Sequence, residues 1–193
     1  MEGKKIMKKK IIILLVILSF IAWGCSSTNQ ALRFKKEYES LNGKVSKNGI
    51  TYRKVIIDRN NPYKKESVEN ISKMIKEKKT FYLYLGSKKD NWSRSVIEKS
   101  IQTAYENEID TIYYVEFNSN KEKELLSTIL DDKKISIPVF IYIEKGKIVR
   151  EKTGISNKQK DATSKLTESI LDDEENIFNE LFSSVCEEEK PCE

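Results

Sequence analysis

Apolar and polar positions follow two periods along this chain, and the places where one gives way to the other mark out its elements. Near the middle, Phe81-Tyr82-Leu83-Tyr84-Leu85 is a run of β-favouring residues closed by Gly86, which predicts a buried strand. A polar loop follows. Trp92, Val96, Ile97, Ile101, Ala104 and Ile109 then recur every three to five residues, one face of an amphipathic helix. Asp90, Asn91, Ser93 and Ser95 are all suited to cap that helix, and Ser95 with Glu98 has capping-box spacing. Strand, loop and helix start together make a geometry that many folds use as a chemical site.

The same reading extends to both sides. Phe34, Tyr38 and Leu41 before Asn42-Gly43 predict a short helix with a glycine stop, preceded by a polar linker from Ser26 to Arg33. Asn48-Gly49 marks a turn, after which Ile50 to Ile57 alternates as a strand until Asn60-Asn61-Pro62. Ser67 caps a helix carrying Val68, Ile71, Met74 and Ile75. Asp110 to Phe117 is a third strand, apolar enough to be central. Lys121 to Leu130 predicts a helix, and Pro138 to Val149 a hairpin turning at Gly146. From Lys158 to Val185, Ala162, Leu166, Ile170, Ile177, Leu181 and Val185 predict one long helix, with Asp172 to Glu175 on its solvent side or at an interruption. The order βαβαβαββα predicts an α/β fold whose central sheet is covered by helices on both faces.

The N-terminus reads differently. Met1 to Lys10 is basic, and Ile11 to Trp23 is apolar apart from Ser19; thirteen residues are short for a membrane span but suit the core of a secretory signal peptide. Ala22-Trp23-Gly24-Cys25 then resembles a bacterial lipobox, although Trp23 stands where a smaller residue is usual. That resemblance implies lipidation of Cys25; the other reading is an uncleaved anchor with an incidental cysteine. Both tether the chain to the cell membrane, on its extracytoplasmic face. The organisation expected is a lipoprotein-type signal peptide at 1–24, a linker and short helix at 25–43, one domain at 44–185, and an acidic, cysteine-containing tail at 186–193.

Charge narrows the functions available. The formal net charge is +5, of which the first 24 residues hold +4, so the rest of the chain gives no reason to invoke nucleic acid. Asp172 to Glu193 carries −8, leaving +9 on residues 25–171. That basic body reads either as a surface for anionic polymers or as an ordinary solvated one. With no histidine, Ser-His-Asp and Cys-His nucleophiles and histidine metal sites are excluded. Cys25, Cys186 and Cys192 are too few for a four-thiolate zinc site, and no phosphate-cradling glycine loop appears. Neither a metal nor a cofactor is expected.

The loop itself carries a family resemblance. Gly86-Ser87-Lys88-Lys89-Asp90-Asn91-Trp92-Ser93-Arg94 is similar to the Gly-x-x-x-Cys-Pro-x-Cys-Arg site of Gram-positive thioredoxin-like proteins, a group that includes bacteriocin transport accessory proteins and related secreted lipoproteins. Ile137-Pro138 before a strand completes the likeness, which spans roughly Ile50 to Leu171. It implies a thioredoxin-like fold with a central mixed sheet. It also implies that Asp90-Asn91-Trp92-Ser93 occupies the place of the redox motif, with Asp90 and Ser93 where the thiols would be. Neither side chain can form a mixed disulfide, so thiol exchange there is expected to be absent.

Two readings stand for each of these residues. Asp90 is a helix cap or an acid; Trp92 is core or an exposed platform. By the resemblance, the bond before Pro138 is cis and lies beside the loop, so Trp92, Ser136, Ile137 and Pro138 form either a surface for an extended peptide or a purely structural turn. Cys186 and Cys192 form a local disulfide, sit reduced in the tail, or make a redox pair. The function expected is a membrane-tethered binding or accessory module, its partner a secreted peptide such as a bacteriocin. The alternatives are an oxidoreductase using Cys186 and Cys192, and a structural lipoprotein.

Overall fold

In the computed structural model, which describes residues 29–117, 127 and 136–183, the apolar run at 81–86 is the middle strand of a five-stranded sheet. In chain order the elements are α1 (29–39), β1 (Tyr63–Lys65), α2 (Val68–Lys76), β2 (Phe81–Gly86), α3 (Asn91–Ser95), α4 (Ile97–Glu106), β3 (Ile112–Glu116), β4 (Val139–Glu144), β5 (Lys147–Lys152) and α5 (Glu168–Phe182). The sheet order is β1-β3-β2-β4-β5. β3 lies parallel between β1 and β2, while β4 runs antiparallel to β2 and β5 antiparallel to β4. This is a thioredoxin-like fold.

Successive side chains of a strand point to opposite faces, so each apolar strand feeds two cores. On one face Tyr84, Tyr114, Ile112 and Phe140 meet Phe34 and Tyr38 of α1, Ile97 and Ile101 of α4, and Phe178 and Leu181 of α5. On the other, Leu83, Leu85, Val115, Val139 and Ile141 meet Val68, Ile71 and Met74 of α2. Helices therefore cover both faces. The first core is aromatic: Phe34 stacks on Tyr63 with ring centroids 4.2 Å apart, and Tyr84 stacks on Phe140 at 4.4 Å.

Four expectations need correction. Residues 50–57 are extended but form no strand beyond a single bridge, Val45 with Thr51. The alternation is real, since Val55 and Ile57 are buried and Ile56 is 81% exposed. What replaces a neighbouring strand is a set of side chains. The backbone N–H groups of Arg53, Val55, Ile56 and Ile57 donate to Asn91, Asn42, Glu98 and Glu39 at 2.8–3.0 Å. The first strand of the sheet is β1 instead, just after Pro62.

The second correction is at α1, which is already helical at residue 29 and buries Ala31, so residues 29–33 are helix and not linker. Third, the helix after the loop is broken at Val96 and is capped by Asp90. Ser95 caps nothing: its hydroxyl donates to the Trp92 carbonyl at 2.9 Å, and Glu98 is committed to Ile56. Fourth, α5 begins only at Glu168. Residues 153–167 stay irregular because Asp161 binds the Thr163 N–H at 2.8 Å, a local bond that competes with a helix, and Gly154 takes a positive φ of 75° against Phe178. The helix expected at Lys121 to Leu130 lies outside the described residues except for Ser127, which is helical.

Because Phe34 is buried among Tyr38, Tyr63 and Tyr114, α1 is part of the core and not an appendage. Phe34→Ala is expected to lower stability by about 3–5 kcal/mol, the usual loss for a buried phenylalanine, read as a lower urea midpoint with an unchanged slope.

Candidate functional site

The loop between β2 and α3 leaves the sheet at Gly86, where a side chain would collide with the Tyr84 ring. Its floor is Glu116 at the end of β3, directly opposite Gly86 in register. Glu116 is 4% exposed, and its carboxylate accepts from the Ser87 hydroxyl at 3.2 Å, the Lys88 N–H at 3.1 Å and the Tyr114 hydroxyl. A carboxylate given three donors is a stable anchor even where water is scarce. Lys88 also lies 3.7 Å from Glu37 of α1, whose carboxyl is half-buried, which pushes its pKa up, but is held below the usual carboxylate range by Lys65 and Arg33.

Asp90 is the N-cap of α3 and accepts the Ser93 N–H at 2.6 Å. Ser93 is fully buried, its hydroxyl accepting the Ser87 N–H at 3.1 Å and its carbonyl accepting from Tyr84 at 3.3 Å. Both side chains are thus spent on holding the loop closed. Burial raises the Tyr84 phenol well above its ordinary range, so that donor stays protonated.

Asn91 and Arg94 face residues 44–58, called the strap below. Asn91 accepts the Arg53 N–H at 2.8 Å and donates to the Thr51 carbonyl at 2.9 Å. Arg94 is fully buried; its guanidinium donates to the carbonyls of Arg53 at 2.6 Å, Tyr38 at 2.9 Å and Lys88 at 3.0 Å, and to Asn42 Oδ1 at 2.6 Å. Three segments therefore meet on one side chain. The sequence pattern had put Asn91 and Arg94 inside the motif without assigning either of them this role.

Trp92 is half-buried, between its two expected states, and lines a cleft of about 540 Å³. Lys89, Asp90 and Asn91 share its wall; Ser46, Asn48, Ile50 and Tyr52 of the strap form a second; Lys160 to Thr163 form the third. Leu85 pairs with Val139, so Pro138 lies next to Gly86 at the same end of the sheet, and the Ile137–Pro138 peptide is cis. Pro138 is buried, Ile137 half-buried and Ser136 exposed, and none of the three lines this cleft. Cys25, Cys186 and Cys192 lie outside the described residues. Among the described residues, no cluster of three or more acidic or cysteine ligands could hold a metal, and no helix is long and apolar enough to cross a membrane.

No protein-family model matches this chain, and no curated protein matches it. Solved structures are similar to parts of it. A protein with a thioredoxin fold is 20% identical over 47% of this chain and 81% of its own, with a TM-score of 0.39. A chain of the ferredoxin:thioredoxin reductase complex with thioredoxin f2 is 16% identical over 48% and 83%, and oxidised thioredoxin O2 from Arabidopsis thaliana is 9% identical over 50% and 85%, both again at 0.39. The fold assignment rests on strand order and register.

A cap and a clamp make separable demands. Asp90→Ala is expected to lower stability by about 1 kcal/mol and Asp90→Asn by much less, because asparagine also caps; thermal denaturation of both variants checks this. Arg94→Met is expected to cost roughly 3 kcal/mol by leaving buried carbonyls unpaired, with hydrogen exchange accelerating at Val55 and Ile57 of the strap.

Proposed function

We propose that this chain is a non-redox binding module with a thioredoxin-like fold, tethered by Cys25 to the extracytoplasmic face of the cell membrane, that holds an extended polypeptide at the Trp92 end of the sheet. One observation carries the reading. By the resemblance, the positions of the exchanging sulfurs fall to Asp90, a helix cap, and Ser93, a fully buried hydrogen-bond acceptor. Neither side chain can form the mixed disulfide that exchange requires.

What the site offers is a surface. Trp92 and Tyr52 provide aromatic area along a cleft whose other walls alternate Lys89, Asp90, Lys160 and Asp161 with Ala162 and Ile50. Ser136, an exposed residue, lies beside Pro138 at the same end of the sheet, where an extended chain could pair. The resemblance to bacteriocin accessory proteins suggests a secreted peptide as the partner, and the lipobox suggests Cys25 as the anchor.

Titrating secreted peptides of the bacteriocin kind against the chain tests this, with the heat of binding in a calorimeter as the readout. Binding is expected to weaken at least about tenfold in Trp92→Ala, the order of losing one interfacial aromatic anchor. A thiol-disulfide turnover assay is expected to give no activity. Turnover that disappears in Cys186→Ser or Cys192→Ser would replace this reading with an oxidoreductase working from the tail.

A further inference from the structure

A carboxyl group lies in α5 where the fold gives it no partner. Glu174 is fully buried, and neither of its oxygens has a hydrogen bond. Gln159, in the loop that leads into α5, is 5% exposed, and its Oε1 is likewise without a donor. Such a place favours the uncharged acid. Burial raises the Glu174 pKa from the ordinary 4.5 to about 7, with Arg53 and Lys99 pulling it down and Asp173 pushing it further up.

Those three charged groups act on Glu174 electrostatically from the strap, from α4 and from α5 itself, and each is engaged elsewhere. Lys99 pairs with Glu175 at 2.9 Å and donates to Gln102 at 3.1 Å. Asp173 accepts from the Ser156 hydroxyl. Arg53 donates from one nitrogen, Nη1, to the carbonyls of Ala162 at 3.1 Å and Ser164 at 2.6 Å. Ala162 and its neighbours Lys160, Asp161 and Thr163 are the third wall of the cleft. Arg53 is thus the cation that connects the buried acid to the cleft.

We propose that Arg53 and Glu174 form a proton-operated latch on this cleft: Arg53 holds the Ala162–Ser164 rim while Glu174 is protonated, and leaves it when Glu174 ionises. The step releases the carboxyl proton to solvent and needs no other reactant. The new negative charge draws the cation that gives up least. Lys99 would have to break an ion pair, whereas Arg53 would exchange two neutral carbonyls for a carboxylate, a stronger acceptor for a guanidinium. Freed of Arg53, the rim loses both of the side-chain bonds that join it to the strap.

The direction with pH is fixed. Glu174 binds its proton more tightly in the fold than in the unfolded chain, so its favourable contribution is complete below about 4.5 and is gone once the pH has passed about 7. The rim is therefore held to the strap in mildly acidic surroundings and released as the pH rises through neutrality. The proposal rests on the cleft being the binding surface, but its test uses no peptide and so fails or succeeds separately from that reading.

The chain has two tryptophans, so Trp23→Phe in the full-length protein leaves Trp92 as the only indole. Acrylamide quenching of Trp92 between about pH 5.5 and pH 8.5 is expected to rise through one titration centred near 7. Glu174→Gln removes the ionisable group and is expected to flatten the curve at its acid-side value, while Arg53→Gln is expected to hold it at the alkaline-side value. In the unsubstituted chain, hydrogen exchange at Thr163 and Ser164, corrected for its intrinsic pH dependence, is expected to accelerate over the same interval, and this readout serves if Glu174→Gln does not fold. Quenching and exchange that stay flat with pH while the protein remains folded would overturn the latch, as would a titration that persists in Glu174→Gln.

Discussion

The buried guanidinium of Arg94 is the interaction on which the candidate site depends. A planar cation with five N–H donors can satisfy carbonyls arriving from several directions at once, which an ammonium on a flexible stem does poorly. Here the carbonyls belong to Tyr38 at the end of α1, Arg53 in the strap and Lys88 in the loop, with the Asn42 amide oxygen as the fourth acceptor. None of these partners is a carboxylate. Burial lowers the Arg94 pKa, and the ring of Tyr38, 5.8 Å away, is among the groups that oppose the fall. The charge is stabilised by oriented dipoles, and the price is that all three segments must stay in place together.

That arrangement explains why the strap is ordered although it joins no sheet. An extended segment normally satisfies its amides on a neighbouring strand. The strap satisfies them on Asn91, Asn42, Glu98 and Glu39, and returns carbonyls to Arg94, Lys35 and Asn42. Side chains from α1 and the turn after it, from α3 and from α4 thus do the work of a strand edge. Because Asn91 and Arg94 belong to the loop and helix start of the candidate site, the strap and that site are a single polar assembly. The cleft beside Trp92 is the space that assembly leaves open.

Much of this was legible in the sequence, and the exceptions share a cause. Strands that are apolar on both faces, such as Phe81 to Gly86 and Val139 to Glu144, announced themselves, as did the Ser67 cap and the Gly146 turn. Asp90 was one of four cap candidates, and the sheet with helices on both faces followed from element order. What was hidden depended on partners distant in sequence. Ile50 to Ile57 has the period of a strand, and nothing local reveals that its amides go to side chains. The block Asp172 to Glu175 reads as solvated charge, yet Glu174 is four residues from both Ile170 and Phe178, which places it on the buried stripe of α5. Reading that period through the charges would have exposed it.

The site also divides by the kind of force that holds each part. Its floor is β2, β3 and the anchored carboxylate of Glu116, backed by two apolar cores that resist deformation. Two of its walls, the strap and the rim at residues 160–163, are fixed mainly by hydrogen bonds to side chains, each modest in net value because water competes for the same groups. Local opening draws on such segments first, since they bury little apolar surface. Ile50, at the cleft, is 55% exposed, whereas Leu83 and Leu85 of β2 are fully buried. A rigid floor with adjustable walls suits the extended guest we propose, its register set at the sheet and its side chains left to the strap and rim. The same division lets a change of charge deep in α5 reach the cleft through Arg53 without disturbing the sheet.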